Sequence, residues 1–184
     1  MKYTKLHIWY IILAFFGCKK IDSNGYQIFT IKKGKHRSGY RYKSNCNNHI
    51  EFKVIFDESA IYKTTDPANQ ADVNKLYGVS DCGKNHMDYS IRFGWRYYHD
   101  KLQLLWFKHE AGKFSFDVIT NIEVNKSYTC TLDIFSDEYI ISVDGLTTIV
   151  PRSCINTAKR YYLYPYFGGD ETAPHKIKIK IKSI

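Results

Sequence analysis

The chain has 184 residues, 44% of them hydrophobic and 16% aromatic, with 27 Lys and Arg against 18 Asp and Glu. That is one domain's worth of chain with enough apolar content for a substantial core; no internal repeat or low-complexity segment interrupts it. The net charge of +9 favours anionic partners such as acidic polysaccharides or phospholipid headgroups. Zinc-finger spacing, an RNA-binding aromatic motif and a basic helix are all missing, so nucleic acid is not an expected partner.

The N-terminus reads "MKYTKLH", with Lys2 and Lys5, followed by an apolar run from Ile8 to Gly17 and then Cys18. A spanning helix needs about 20 apolar residues, so this run is too short to cross a bilayer and reads instead as a secretory leader. "AFFGC" resembles the lipobox of bacterial lipoproteins, in which the cysteine is acylated and becomes the first mature residue. The expected organisation is a signal peptide at 1–17, a lipid-bearing Cys18 opening a polar tether at 18–25, and a domain at 26–184. Loss of Lys2 and Lys5 would leave +7 on the mature side chains. The resemblance implies a lipid bilayer as partner through Cys18 and a cell-envelope location at the outer membrane. "CKKIDSNG" has no acidic cluster resembling a surface-export signal, so periplasmic and surface-exposed orientations both stay open. The sequence sets no oligomeric state.

From Tyr26 onward the apolar period is two, which predicts strands. "HIEFKVIF" sets Ile50, Phe52, Val54 and Phe56 against Glu51 and Lys53. Thr64 to Lys75 is the longest polar interruption, a loop or helical turn. "YSIRFGWRYY" alternates Ile91, Phe93, Trp95 and Tyr97 with Ser90, Arg92, Gly94 and Arg96. "YHDK" and "HEAGK" read as hairpin connections, with Trp106 alternating with Leu102 and Leu104 between them. "SYTCTLDIF" puts Tyr128, Cys130, Leu132 and Ile134 on one face. Asp144-Gly145 is a turn pair between two β-rich runs. "HKIKIKIK" sets three isoleucines against four lysines. Short turns without a βαβ rhythm predict an all-β sandwich of two antiparallel sheets.

If the chain is exported, Cys46, Cys82, Cys130 and Cys154 can oxidise, and four cysteines allow three complete pairings. Their wide spacing argues against zinc, and Cys130 sits where a small buried hydrophobe would.

"NKLYGVSDCG", "SIRFGWRYYHDKLQLLWF", "YIISVDG" and "YYLYPYFGGDETAPHKIKIKI" together resemble the concanavalin A-like lectin/glucanase superfamily, and small Bacteroidota-type lipoproteins within it. The resemblance implies a jelly-roll sandwich whose concave face often holds glycans. Lectins, binding modules, hydrolases and lyases all use this architecture, so the site must decide the activity. Glycoside hydrolases of this kind need paired carboxylates on one strand. Here Asp57-Glu58 and Asp137-Glu138 read as turn residues, and Asp170-Glu171 lies in a glycine-rich loop. The lyase signatures, Arg-x-Glu-x-Arg and Gln-x-His strands, are also missing, although Arg92, Arg96, Tyr98, His109 and Tyr166 are of the types a lyase uses.

The resulting expectation is a membrane-anchored, non-catalytic module that binds or handles a glycan, with no cofactor. The ligand-binding candidates are Arg92, Arg96, Tyr98, His109 and Tyr166; Tyr98 and His109, at strand ends, are expected to be the exposed ones. The two arginines can grip a carboxylate bidentately, which fits an anionic glycan. Trp95 and Trp106 fall on core faces, while Tyr97 and Tyr164 are further stacking surfaces. A lyase or hydrolase with an unrecognised site and a protein-interaction lipoprotein are the alternatives. Asp170 and Glu171 offer hard oxygen ligands for a structural calcium, against the simpler reading of a tight loop.

Overall fold

Strand by strand, the alternating pattern becomes the two inner faces of a sandwich. The structure, a computed structural model, describes residues 20–40, 42–154 and 159–184. The expected leader and Cys18 lie outside the described residues. One six-stranded antiparallel sheet, the back sheet, contains β1 (Gln27–Ile31), β12 (Ile177–Ser183), β3 (His49–Phe56), β8 (Ser127–Ile134), β9 (Glu138–Val143) and β10 (Leu146–Pro151), in that spatial order. The front sheet, also six-stranded, runs β2 (Ser44–Asn45), β11 (Arg160–Leu163), β4 (Asn74–Ser80), β5 (Ser90–Tyr98), β6 (Lys101–Glu110) and β7 (Lys113–Ile122). The fold is an all-β jelly roll, as the periodicity and the resemblance implied.

The core lies between the sheets. Phe52, Val54 and Phe56 of β3, Leu132 of β8 and Ile179 of β12 meet Phe93 and Trp95 of β5, all fully buried. Edge-on contacts such as Phe52 with Phe93, ring centroids 5.3 Å apart, place positive ring edges on negative faces. The lysines of β12 point away from this core because successive strand residues face opposite ways.

Tight turns supply the hairpins. His99 and Asp100 connect β5 to β6, Ala111 and Gly112 connect β6 to β7, and Asp144 and Gly145 connect β9 to β10. All six residues have positive φ, the backbone that matches the right-handed twist of a hairpin. The polar interruption carries a 3-10 turn at Pro67–Ala71, whose Ala68 N–H donates to the Asp66 carboxylate at 2.9 Å. Asp57 caps a second one at Glu58–Ala60. Residues 20–25, assigned above to a tether, turn back on the domain: Ile21 bridges Gln27, and Asp22 meets Lys180 Nζ at 3.0 Å.

Of the three pairings open to the four cysteines, the structure contains the bond Cys82–Cys154; Cys130 is buried and Cys46 exposed, both as free thiols. Beside the disulfide, the fully buried Asp81 carboxylate accepts from Arg152 Nε at 2.6 Å and from the Tyr139 hydroxyl at 2.6 Å, with Arg160 Nη1 at 3.7 Å. Asp81, Cys82 and Cys154 cluster within 4.8 Å, with the two sulfurs bonded to each other as the disulfide.

Candidate functional site

Register determines what meets on the outer face of the front sheet. One row across four strands is Gly78, Arg92, Phe107 and Phe116; the next is Ser80, Ser90, His109 and Phe114. A third row places Lys75 beside Gly94, and Lys75 is bridged on its other side to Tyr166 through backbone bonds of 2.8 and 2.9 Å. Arg92 and His109 are therefore diagonal neighbours on adjacent strands, about 7–8 Å apart at Cα. Gly78 makes the row compact, because a Cβ there would strike the Arg92 backbone. Arg37 to Tyr40, Tyr42, Leu163 to Tyr166, Gly168 to Asp170, His86 and Met87 line this face as well, and together they form a cleft of about 1350 Å³.

The floor is cationic and largely buried. Arg92 is only 5% exposed, its Nε has no hydrogen-bond partner, and no carboxylate among the described residues pairs with it. Burial pulls its guanidinium down to about 10. Lys75 Nζ donates to the Gly168 carbonyl at 3.1 Å and lies 4.6 Å from the centre of the Phe107 ring. Burial first, then the Arg92 charge, pushes Lys75 down to about 8. Neither cation forms an ion pair among the described residues, although the Asp72 carboxylate lies close enough to favour the charge on Lys75; holding two buried cations together costs the fold energy.

His109, only 6% exposed, is held neutral among them: burial, Arg92 and Lys75 lower it to about 4. Its tautomer follows from its neighbours. Ser90 Oγ donates its single proton to the His86 carbonyl at 2.7 Å, so at 3.3 Å it can only accept from His109 Nδ1–H. His109 Nε2 is left as a bare acceptor. Tyr166 lines the same cleft, its ring stacked on His36 with centroids 5.1 Å apart and planes 10° from parallel. His36 is itself fixed by a 2.9 Å bond from Nδ1 to the Phe167 carbonyl.

Arg92, Arg96, His109 and Tyr166 thus line one cleft, whereas Tyr98 lies at the β5–β6 hairpin outside it. Arg96 is largely committed to the protein: Nε donates to Gln103 and Nη1 to the Ala71 carbonyl, each at 2.8 Å, and its guanidinium stacks over Tyr98 at 4.7 Å. His109 was expected to be exposed at a strand end, but loops close over that end and bury it. Tyr164 also lines the cleft while packing against the core, and Tyr97 packs against the core with its hydroxyl 3.4 Å from Asp100 Oδ1. The Glu171 carboxylate, one of the two considered for calcium, is occupied by N–H donors from Thr65, Asp66 and Asn69 at 2.7–3.0 Å; the tight-loop reading accounts for it. The carboxylates lining the cleft, Asp72 and Asp170, come from two loops rather than alternate positions of a strand. Lys75, His86 and the phenylalanines of β7 were not anticipated; only the register across strands brings them to the cleft.

No protein-family profile matches the chain, and no curated protein matches it. Solved structures do. An alginate lyase, AlyC3, has a TM-score of 0.66 at 11% identity over 89% of this chain and 76% of its own. The same lyase in complex with dimannuronate has a TM-score of 0.63 at 10% identity, covering 88% and 74%. A glycoside hydrolase family 16 endo-glucanase from Bacteroides ovatus has a TM-score of 0.56 at 13% identity, covering 90% and 84%. At these identities the likeness is one of fold, the concanavalin A-like jelly roll.

Proposed function

We propose that the cleft binds an anionic glycan by seating a uronate carboxylate on Arg92 and Lys75, in a domain tethered to the cell envelope through Cys18. The observation that carries this reading is Arg92, a buried guanidinium with an unpartnered Nε at the floor of an open cleft. A planar carboxylate supplies both the missing charge and a matched pair of acceptors. The structural likeness to an alginate lyase supports a uronate-containing ligand by analogy of fold.

Calorimetry with uronate and neutral oligosaccharides tests it, comparing the wild type with Arg92→Met. Binding should be specific for uronates and lost in the variant. Because Arg92 is a desolvated, unpaired charge, the variant should also unfold at equal or higher urea. A strongly destabilised Arg92→Met would mark a structural arginine, and equal binding of neutral sugars would remove the carboxylate from the reading.

A second reading, β-elimination, is favoured by the bare Nε2 of neutral His109. In that chemistry the base takes the proton from the carbon beside the carboxylate, the bond to the leaving glycosidic oxygen breaks, a carbon–carbon double bond forms, and the oxygen receives a proton. His109 Nε2 is of the type to take the first proton and the Tyr166 hydroxyl to give the second. Ultraviolet absorbance of an unsaturated uronate, abolished by His109→Ala, would assign a lyase. Uronate binding without that absorbance leaves a binding module.

A further inference from the structure

The first half of β7 stands outside the sandwich. Lys113 to Asp117 is exposed on both strand faces, yet it presents Phe114 at 63% exposure and Phe116 at 38%. Their rings are ordered with respect to buried Phe107. Phe107 and Phe114 have centroids 5.7 Å apart and planes 11° from parallel; Phe107 and Phe116 are at 6.2 Å and 7°, Phe114 and Phe116 at 6.3 Å and 10°. Lys75 and Arg92 also approach the Phe107 ring, at 4.6 and 5.8 Å. Phe107 therefore joins the cationic floor to the aromatic shelf, and both line the same cleft.

We propose that Phe114 and Phe116 form a stacking subsite for a second sugar residue of the glycan chain whose carboxylate sits on Arg92. This rests on the carboxylate reading above and adds that the ligand is an oligomer, not a single sugar acid. Phe116 lies two strands beyond Arg92 in one register row, about 10 Å at the usual strand spacing and more than one sugar ring covers. One face of a pyranose presents C–H groups, and these meet the negative face of an aromatic ring favourably. Arg96, 5.8 Å from the Phe116 ring, supplies donors for hydroxyls at the ring edge. The shelf is charged on its inner side and open on its outer side, which suits a chain alternating apolar faces with carboxylates better than an uninterrupted apolar partner. Exposed aromatics aligned in this way are also a cost in water that a ligand would offset.

The test is calorimetric titration of the full soluble domain with a monouronate, a diuronate and a hexauronate, using wild type, Phe114→Ala/Phe116→Ala and Arg92→Met. Both phenylalanines are exposed, so the double variant should fold. Wild-type affinity should rise with length, and the double variant should lose about tenfold, or 1.4 kcal/mol, on the diuronate and hexauronate while binding the monouronate unchanged. Arg92→Met should lose all lengths. A length gain that survives the double substitution, or no length gain in the wild type, overturns the shelf and leaves the Arg92 reading standing. Failure of the wild type to bind any uronate overturns both. A wild type that dimerises through this strand in sedimentation, with hexamer binding unaffected by the double substitution, assigns the shelf to a second copy and overturns the subsite.

Discussion

Lys75 and His109 are two groups on the cleft floor that lose their protons at lower pH than they would in water. His109 stays neutral well below the usual imidazole range because it would otherwise be a third cation beside Arg92 and Lys75. Lys75 remains a cation only up to about pH 8, since burial penalises its charged form and Arg92 repels it. The sign for binding follows directly. Below about pH 8 both Lys75 and Arg92 attract a carboxylate; above it Lys75 becomes a neutral amine and one attraction is lost. Uronate affinity should therefore fall as pH rises through about 8, with the step displaced upward in the complex because a bound anion favours the protonated amine. Isothermal titration at pH 6.5, 7.5, 8.5 and 9.5, chosen to bracket that value at roughly even spacing, reads the step. Lys75→Met should bind more weakly and show no step; an unchanged profile in that variant would assign the titration elsewhere.

At the scale of elements, β3, β5, β8 and β12 were readable as alternating strands because each has one face in the core, which forces period two. β7 was not singled out: Phe114, Phe116 and Val118 alternate with Ser115 and Asp117, but its first half buries neither face, so the alternation does not mark a core side. The two-residue β2 and four-residue β11 are too short to carry a period. The same limit explains the site. Alternation in β5 separated Arg92 and Arg96 from Phe93 and Trp95, but it says nothing of what covers the polar side. That face read as polar, with its two arginines as binding candidates, and residues 37–40, 42, 163–166 and 168–170 turn it into a cleft floor. Tyr166 could be singled out from the resemblance around "PYFGG"; Lys75 offered no signal beyond a lysine on a strand. The Asp81 centre was invisible for a related reason, because its partners arrive from β9, the end of β10 and β11. Those bonds join the ends of both sheets. Asp81→Asn should leave Arg152 and Arg160 without their shared counter-charge and destabilise the domain by about 3–5 kcal/mol, seen as a lower urea midpoint with an unchanged slope. Stability within about 0.5 kcal/mol of wild type would mean that water replaces the carboxylate.

For the molecule as a whole, the disulfide braces the domain. Cys82–Cys154 spans a separation of 72 residues, a closure expected to contribute about 4 kcal/mol through the unfolded chain. It also ties the loop carrying His86 to the strand ends around Asp81. We propose attachment to the membrane at Cys18, since the first described bridge, Ile21 to Gln27, begins only three positions further on. Mass spectrometry of the protein from its native host should find a diacylated or triacylated Cys18 as the first residue. An unmodified chain retaining Met1 would exclude the anchor. The cationic pair on the cleft floor has a kinetic meaning as well. Low-dielectric walls focus the field of Arg92 and Lys75 outward through the mouth, so a polyanion drifting past is drawn in before any contact forms. Encounter should accelerate steeply as ionic strength is lowered, while the lifetime of the complex, set by short-range contacts, changes little. Under the proposed anchoring and glycan binding, a domain held at a surface would gain capture rate for a dilute, slowly diffusing polymer from these same two charges.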